Sequence, residues 1–358
     1  MNHFSRIREN LAARGLDAVM LTEEVNRFYA ADFHSVGTDA LVLVTKTNSY
    51  YFTDSRYTVA AQRYVQDAEI AITGRGRGYV ELVNEVIDRE GLHTVGFDAD
   101  YITVTAFEHY REKLHCSLVG ISDLMRQLRL VKDPEEIERL VQAQRIAEAA
   151  LTELLPYIRP GAVEKELAAR LEFLMRLHGA DGPAFDTIVV SGLNTTMPHG
   201  VPSDKKVEAG DFVTIDFGAK KGGYGSDMTR TYAVGYATDE MKAVYDVVLT
   251  AQKTAIAATK AGMTGQELDG IARKVITDAG YGEYFGHSYG HGIGIEIHEA
   301  PNVSFRNDQP LPAGSVTSAE PGIYIPGKFG VRIEDMIVPR EGGYDNLTEM
   351  PKELTILA

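Results

Sequence analysis

Two stretches of the chain set carboxylates face to face. In VTIDFGAKKGGYGSDMTRTYAVG, two β-rich runs flank a Lys/Gly turn and read as a hairpin. A turn centred between Lys221 and Gly222 places Asp216 directly opposite Asp227, with Cβ atoms about 4.5–5.5 Å apart. In SAEPGIYIPGKFGVRIEDM the turn centres on Gly327, and Glu320 then faces Glu334. Like charges opposed across a strand pair are destabilising unless a cation lies between them. A single such pair is unremarkable, because acidic strand residues usually point at solvent. Two pairs in one region predict a metal ion, or two ions about 3.5–4 Å apart. Should the pairs converge, four carboxylates without balancing cations require metal to fold.

Nitrogen donors are available nearby. Three of the ten histidines, His287, His291 and His298, lie in GHSYGHGIGIEIHEAP. The four-residue spacing of His287 and His291 invites comparison with H-E-x-x-H. The intervening Ser288, Tyr289 and Gly290 supply no glutamate, however, and the glycines between Gly286 and Gly294 forbid a stable helix. The same stretch contains G-x-S-x-G at Gly286–Gly290, but no Asp separates Ser288 from the last histidine, so the serine-hydrolase order is missing. His199 sits in a proline-flanked loop, where a lone histidine is ordinarily a surface residue. GRGRG at Gly74–Gly78 lacks dinucleotide-binding spacing and reads as a loop.

The elements that must position these groups fall into two blocks. In the first third, strand-length apolar runs at Asp17–Leu21, Ala40–Thr45, Tyr50–Asp54, Glu69–Thr73, Thr94–Asp98 and Leu118–Ile121 alternate with helical stretches near Phe4–Arg14, Ser55–Val65, Tyr79–Arg89 and Thr103–Lys113. After LRLVKDPEEIERL, Asp133 as N-cap, Pro134 in the first turn and the acidic Glu135 and Glu136 predict a helix reaching about Tyr157. Further helices are expected near Val163–His178, Asp239–Lys260 and Gly265–Ala279, with antiparallel pairs at Asp211–Val234 and Ser315–Val338.

Composition narrows the function classes. A chain of 358 residues suggests two domains at roughly 150 residues each. Lys plus Arg number 36 against 51 acidic residues, a net charge of −15 with no basic block, which argues against nucleic-acid binding. The longest apolar run, Ala40–Val44, is far short of the about 20 residues that span a bilayer, so no membrane association is expected. The polar N-terminal stretch reads as a helix start, not a secretory leader. With the single cysteine Cys116, the expected location is cytoplasmic.

The segments around Asp216, Asp227, His291, Glu320 and Glu334 resemble, in order and spacing, the five metal-ligand motifs of the pita-bread metallopeptidases. PHGVPSDKKVEAGDFVTIDFG, FGHSYGHGIGIEIHEAP and EPGIYIPGKFGVRIED most resemble short bacterial Xaa-Pro aminopeptidases, with Xaa-Pro dipeptidase as the alternative and a non-catalytic binding protein a more distant one. The resemblance implies an α+β fold: a creatinase-type N-terminal α/β domain over residues 1–127 and a pita-bread catalytic domain over 128–358. It also implies two divalent ions, Mn²⁺ foremost with Co²⁺ or Zn²⁺ possible, bridged by Asp227 and Glu334, with Asp216 completing one and His291 with Glu320 the other. In such a site the ions share a water whose hydroxide attacks the scissile carbonyl. Glu320 would then shuttle the proton and His298 stabilise the oxyanion. His199 and His287 would line the substrate pocket, with His199 close to the chemistry and Arg332 and Tyr324 lining or buttressing it. The expected substrates are peptides with proline second, and the expected assembly is a homodimer. One departure is visible: Ser318 stands where the family pattern suggests Thr, keeping the hydroxyl and losing a methyl.

Overall fold

The computed structural model describes residues 2–358, which divide into two compact units after Arg129. The first unit is built on a six-stranded mixed sheet in the order Glu69–Ile72, Ser49–Thr53, Ala40–Thr45, Ala18–Leu21, Thr94–Phe97, Ser117–Gly120. The middle strands Ala18–Leu21 and Ala40–Thr45 are buried along their whole length, so they read as unbroken apolar runs rather than alternating ones. Helices Phe4–Leu11, Thr58–Tyr64, Tyr79–Glu90 and Val104–Lys113 fall where the apolar spacing puts them.

Two helices in this unit escape the sequence pattern. Glu24–Ala31 buries Asn26 and Arg27 alongside Phe28 and Tyr29, so it has no clean apolar stripe. The Arg27 guanidinium donates to the carbonyls of Ser35 and Gly37 at 2.8 and 2.7 Å. Ser122–Leu130 is the second, and it buries Leu124, Met125 and Leu128. The boundary expected between residues 127 and 128 lies inside this helix, and the two compact units divide near its end.

In the second unit, helix Pro134–Leu154 opens with the cap its sequence encodes. The Asp133 carboxylate accepts the Glu135 and Glu136 amides, and Glu136 returns a bond to the Asp133 amide. This helix and Glu164–Leu177 share an apolar core with Val213, Ile215 and Phe217 of strand Phe212–Phe217. Helices Asp239–Ala258 and Gly265–Asp278 form a second core with Ile323, Val331 and Ile337. Two sheets thus each receive a pair of helices. One sheet runs Ile356–Leu357, Met228–Val234, Phe212–Phe217, Ile188–Ser191, and the other Glu299–Val303, Gly290–Gly292, Thr317–Ala319, Asp335–Arg340, Gly343–Asn346.

The two acidic hairpins behave differently. The second keeps the expected register: Gly322 faces Arg332, Ala319 faces Asp335, and Glu320 and Glu334 occupy the matching positions between those ladders. The first does not. Asp216 pairs with Thr229 rather than Asp227, because the turn residues are Gly222 and Gly223, both left-handed at φ 54 and 83°. A two-residue turn of this hand needs positive φ at both positions, which Lys221 would adopt only at a cost and two glycines adopt freely. The pairing slips by an even number of residues, so Asp216 and Asp227 stay on one face and become diagonal instead of direct neighbours.

Gly218 makes this slipped geometry possible. A Cβ there would lie 1.7 Å from the Ser226 carbonyl oxygen. Gly218→Ala is therefore expected to lower stability by at least about 2 kcal/mol, measured by denaturant unfolding; an unchanged midpoint would contradict the close approach.

Candidate metal centre

Each acidic candidate enters from a strand end. Asp216 is in strand Phe212–Phe217, and Asp227 immediately precedes Met228–Val234. Glu320 follows Thr317–Ala319, Glu334 precedes Asp335–Arg340, and His291 is the middle residue of Gly290–Gly292. All five line one cavity of about 310 Å³, together with His199, His287, His298 and Arg332. Tyr324 lies behind the wall, where its hydroxyl joins His287 and Arg332.

Ligating atoms of Asp227, His291 and Glu334 lie within 4.8 Å of one another. His291 Nε2 is 3.5 Å from Asp227 Oδ2 and 3.3 Å from Glu320 Oε1. The other ring nitrogen, Nδ1, donates to the Gly292 carbonyl at 3.1 Å, so Nε2 meets the carboxylate oxygens either protonated, as a donor to Glu320, or as a lone pair with a cation between them. A cation resolves that contact.

The carboxylates give the same answer. Among the described residues, Asp216 Oδ1, Asp227 Oδ1 and Glu334 Oε1 are buried without a hydrogen-bond partner. Three orphaned oxygens converging on one cavity would be a heavy desolvation cost. Burial, then the neighbouring Glu334 carboxylate, pushes Asp227 well above the usual carboxylate range, and burial with Glu320 does the same to Glu334. For Glu320, burial acts upward but the His291 hydrogen bond overrides it and holds the group down at about 2. His291 is held above its ordinary value despite burial, again by Glu320. The residues therefore fit divalent metal: four carboxylates and one imidazole form a mostly hard donor set with the open oxygens already aimed inward.

The remaining oxygens are held by the protein. Arg332 donates to Asp216 Oδ2 at 2.6 Å, to the Tyr324 hydroxyl at 2.8 Å and to Thr229 Oγ1 at 3.1 Å. The Thr229 hydroxyl in turn donates a hydrogen bond to Glu334 Oε2 at 2.7 Å. Ser318 Oγ accepts the His291 amide and donates to Glu320 Oε1, both at 3.0 Å, so the retained hydroxyl aligns two candidate ligands at once. His287 donates from Nδ1 to the Ser288 carbonyl and accepts the Tyr324 hydroxyl at Nε2. Burial lowers its proton affinity, consistent with this neutral tautomer, and burial followed by His291 lowers that of His298. Burial also keeps the Tyr324 phenol protonated by raising it to about 12.

Sequence reasoning missed Thr229 because the misplaced turn put Asp227 at its position. The apolar wall residues Phe185, Ile188 and Ile297 were also missed, since nothing in a short apolar run says that it will border a cavity. His199, given a surface reading on spacing alone, lines the cavity.

Two outcomes are expected. In metal-free protein Asp227, Glu334 and His291 bind protons more tightly folded than unfolded, so stability is lost as pH rises above the ordinary values of 3.8 and 4.5 for the two carboxylates and 6.5 for His291. Glu320 opposes this only below 4.5, toward its folded value of about 2. The melting temperature of chelated protein should fall between about pH 5 and about pH 8 while that of metal-loaded protein changes less; parallel curves would contradict the cluster. Ser318→Ala should weaken metal retention or activity about 10- to 100-fold, read by metal analysis after dialysis and by turnover.

Comparison with known proteins accords with this geometry. The sequence pattern of Metallopeptidase family M24 matches residues 138–341, and that of the Creatinase/Prolidase N-terminal domain matches residues 4–131. A Xaa-Pro dipeptidase from Pyrococcus furiosus is 38% identical over 340 residues, 95% of each chain. The structure of a Xaa-Pro dipeptidase from Bacillus anthracis superposes with a TM-score of 0.93 at 44% identity, over 99% of each chain. That of an X-Pro aminopeptidase from Thermotoga maritima does so with a TM-score of 0.93 at 40% identity, over 100% of each chain. With a creatinase-type N-terminal domain followed by a pita-bread domain whose cavity gathers its acidic strand ends, the chain belongs to metallopeptidase family M24.

Proposed function

We propose that the protein is a proline-specific dipeptidase, hydrolysing the bond between an N-terminal residue and a following C-terminal proline. The observation that carries this reading is the cavity: five candidate ligands and three further histidines gathered in about 310 Å³ beside the apolar Phe185, Ile188, Pro198 and Ile297. That volume is at the low end for small-molecule sites, which favours a short substrate. A bond to proline has no amide N–H to recognise, so selectivity must come from ring shape, and an apolar wall supplies it. The sequence alone ranks Xaa-Pro aminopeptidase first. Two of the relatives above bear dipeptidase names and weigh toward the other order. The aminopeptidase reading stands second, supported by the Thermotoga maritima structure.

Asp216, Asp227, His291, Glu320 and Glu334 would hold two divalent ions, Mn²⁺ by preference, and the ions when bound would supply Lewis acidity and an activated water. Glu320, whose Oε1 accepts the Ser318 hydroxyl, would take a proton from the attacking water and return it to the leaving nitrogen. His298, with its ring centroid 4.2 Å from that of His291 and its pKa lowered by burial, would donate a neutral N–H to developing negative charge. His199 and His287 would contact substrate polar atoms, while Arg332 is committed to orienting Asp216 and Tyr324. A homodimer and a cytoplasmic site of action belong to the same proposal. Among the described residues no helix is long and apolar enough to cross a membrane, and the lone Cys116 fits a reducing compartment.

Assay of a Xaa-Pro dipeptide beside a Xaa-Pro-Yaa-Zaa tetrapeptide with Mn²⁺ added is expected to show turnover of the dipeptide and little of the tetrapeptide. Preferential cleavage of the tetrapeptide would establish the aminopeptidase instead, and no cleavage of either would remove both.

A further inference from the structure

The segment from Phe285 to Tyr289 carries His287 yet has no regular structure to hold it. Gly286 and Gly290 flank the histidine, and no helix or strand is assigned until Gly290. A glycine-flanked stretch has high backbone entropy and would not fix a side chain unaided. The constraint comes from helix Gly265–Asp278.

Two residues one turn apart on that helix, Asp269 and Arg273, form a fork-to-fork pair: Nε to Oδ2 at 2.8 Å and Nη2 to Oδ1 at 3.0 Å. The Asp269 side chain is fully buried and that of Arg273 is 28% exposed. From this pair three bonds reach alternate residues of the loop. Arg273 donates to the Phe285 carbonyl through Nη1 and to the His287 carbonyl through Nη2, both at 2.8 Å. Asp269 Oδ1 accepts the Tyr289 amide at 3.0 Å. The guanidinium also lies 4.2 Å from the Phe285 ring centroid, and that ring meets His287 edge-on at 5.1 Å. Backbone and ring of His287 are thus both gripped from one side, while its Nε2 is met from the other by Tyr324.

We propose that Arg273, anchored by Asp269, is a positioning residue for substrate recognition: it acts through His287 and touches neither substrate nor metal. The inference deepens the proposed peptidase function and rests on His287 contacting substrate. Uniform loss of positioning raises KM more than it lowers kcat. A lysine keeps the charge opposite Asp269, but its single ammonium has three donors and cannot reproduce the four bonds that the guanidinium makes to the two Asp269 oxygens and the two carbonyls.

The test is a double-mutant cycle of Arg273→Lys and His287→Ala on a Xaa-Pro dipeptide, with metal content and amide hydrogen exchange over residues 285–290. Arg273→Lys alone should raise KM about tenfold or more, with kcat and metal content near those of the parent. In the His287→Ala background it should add little, because both changes remove the same contact. Exchange over 285–290 should accelerate. Equal effects of Arg273→Lys in both backgrounds, loss of metal, or unaltered exchange would each overturn the inference. Asp269→Asn, nearly isosteric, enters the same arms if the lysine variant does not fold. If the parent enzyme cleaves no Xaa-Pro peptide, the functional reading falls, and the exchange measurement alone decides whether the clamp exists.

Discussion

Mutual repulsion among Asp216, Asp227, Glu320 and Glu334 is the constraint around which the second unit is organised. Carboxylates around one small cavity repel each other and lose hydration, and both effects grow as the local dielectric falls. Such a cluster persists only when positive charge is delivered with matching geometry. The chain supplies part of it: Arg332 takes one oxygen of Asp216, and His291 approaches Asp227 and Glu320. The oxygens left over are those aimed inward, and they define the donor set for metal.

Holding that arrangement uses buried polar networks rather than apolar packing alone. Arg230, almost fully buried, pairs with Asp335 at 2.8 Å and donates to the Glu334 carbonyl at 2.6 Å, fixing the backbone beside a candidate ligand. Glu164 accepts the amides and hydroxyls of Ser191 and Ser203, closing the base of the loop that presents His199. The Asp269–Arg273 pair does the equivalent for His287. In each case a buried charge satisfies backbone groups that a glycine- and proline-rich loop cannot satisfy internally. Removing one partner would leave the other buried and unpaired, so these networks are costly to break even where they add little net stability.

Much of this was legible in the sequence for identifiable reasons. Asp133 caps its helix through its own side chain, a local interaction visible in a few residues. The second hairpin's register follows from one left-handed glycine, Gly327, in a short turn. The first hairpin offered Lys221, Gly222 and Gly223 as turn residues, and the choice rested on backbone handedness that residue spacing does not weigh. Helix Glu24–Ala31 was hidden because its buried face carries Asn26 and Arg27, whose partners lie elsewhere in the chain. Arg273, spaced like any exposed helix residue, gave no sign of its loop contacts.

By itself the sequence determined the chemical types and their chain order: four acidic strand ends, one imidazole in a glycine-rich run, and further histidines on either side. Residue type and period-2 alternation suffice for that, because they are properties of single strands and turns. Which oxygens face inward unpaired, which are claimed by Arg332 and Thr229, and how His287 is gripped by helix Gly265–Asp278 were decided only by tertiary structure. Those outcomes depend on distances between segments remote in sequence, and hydrogen bonding and charge interaction act only once packing has brought the segments together.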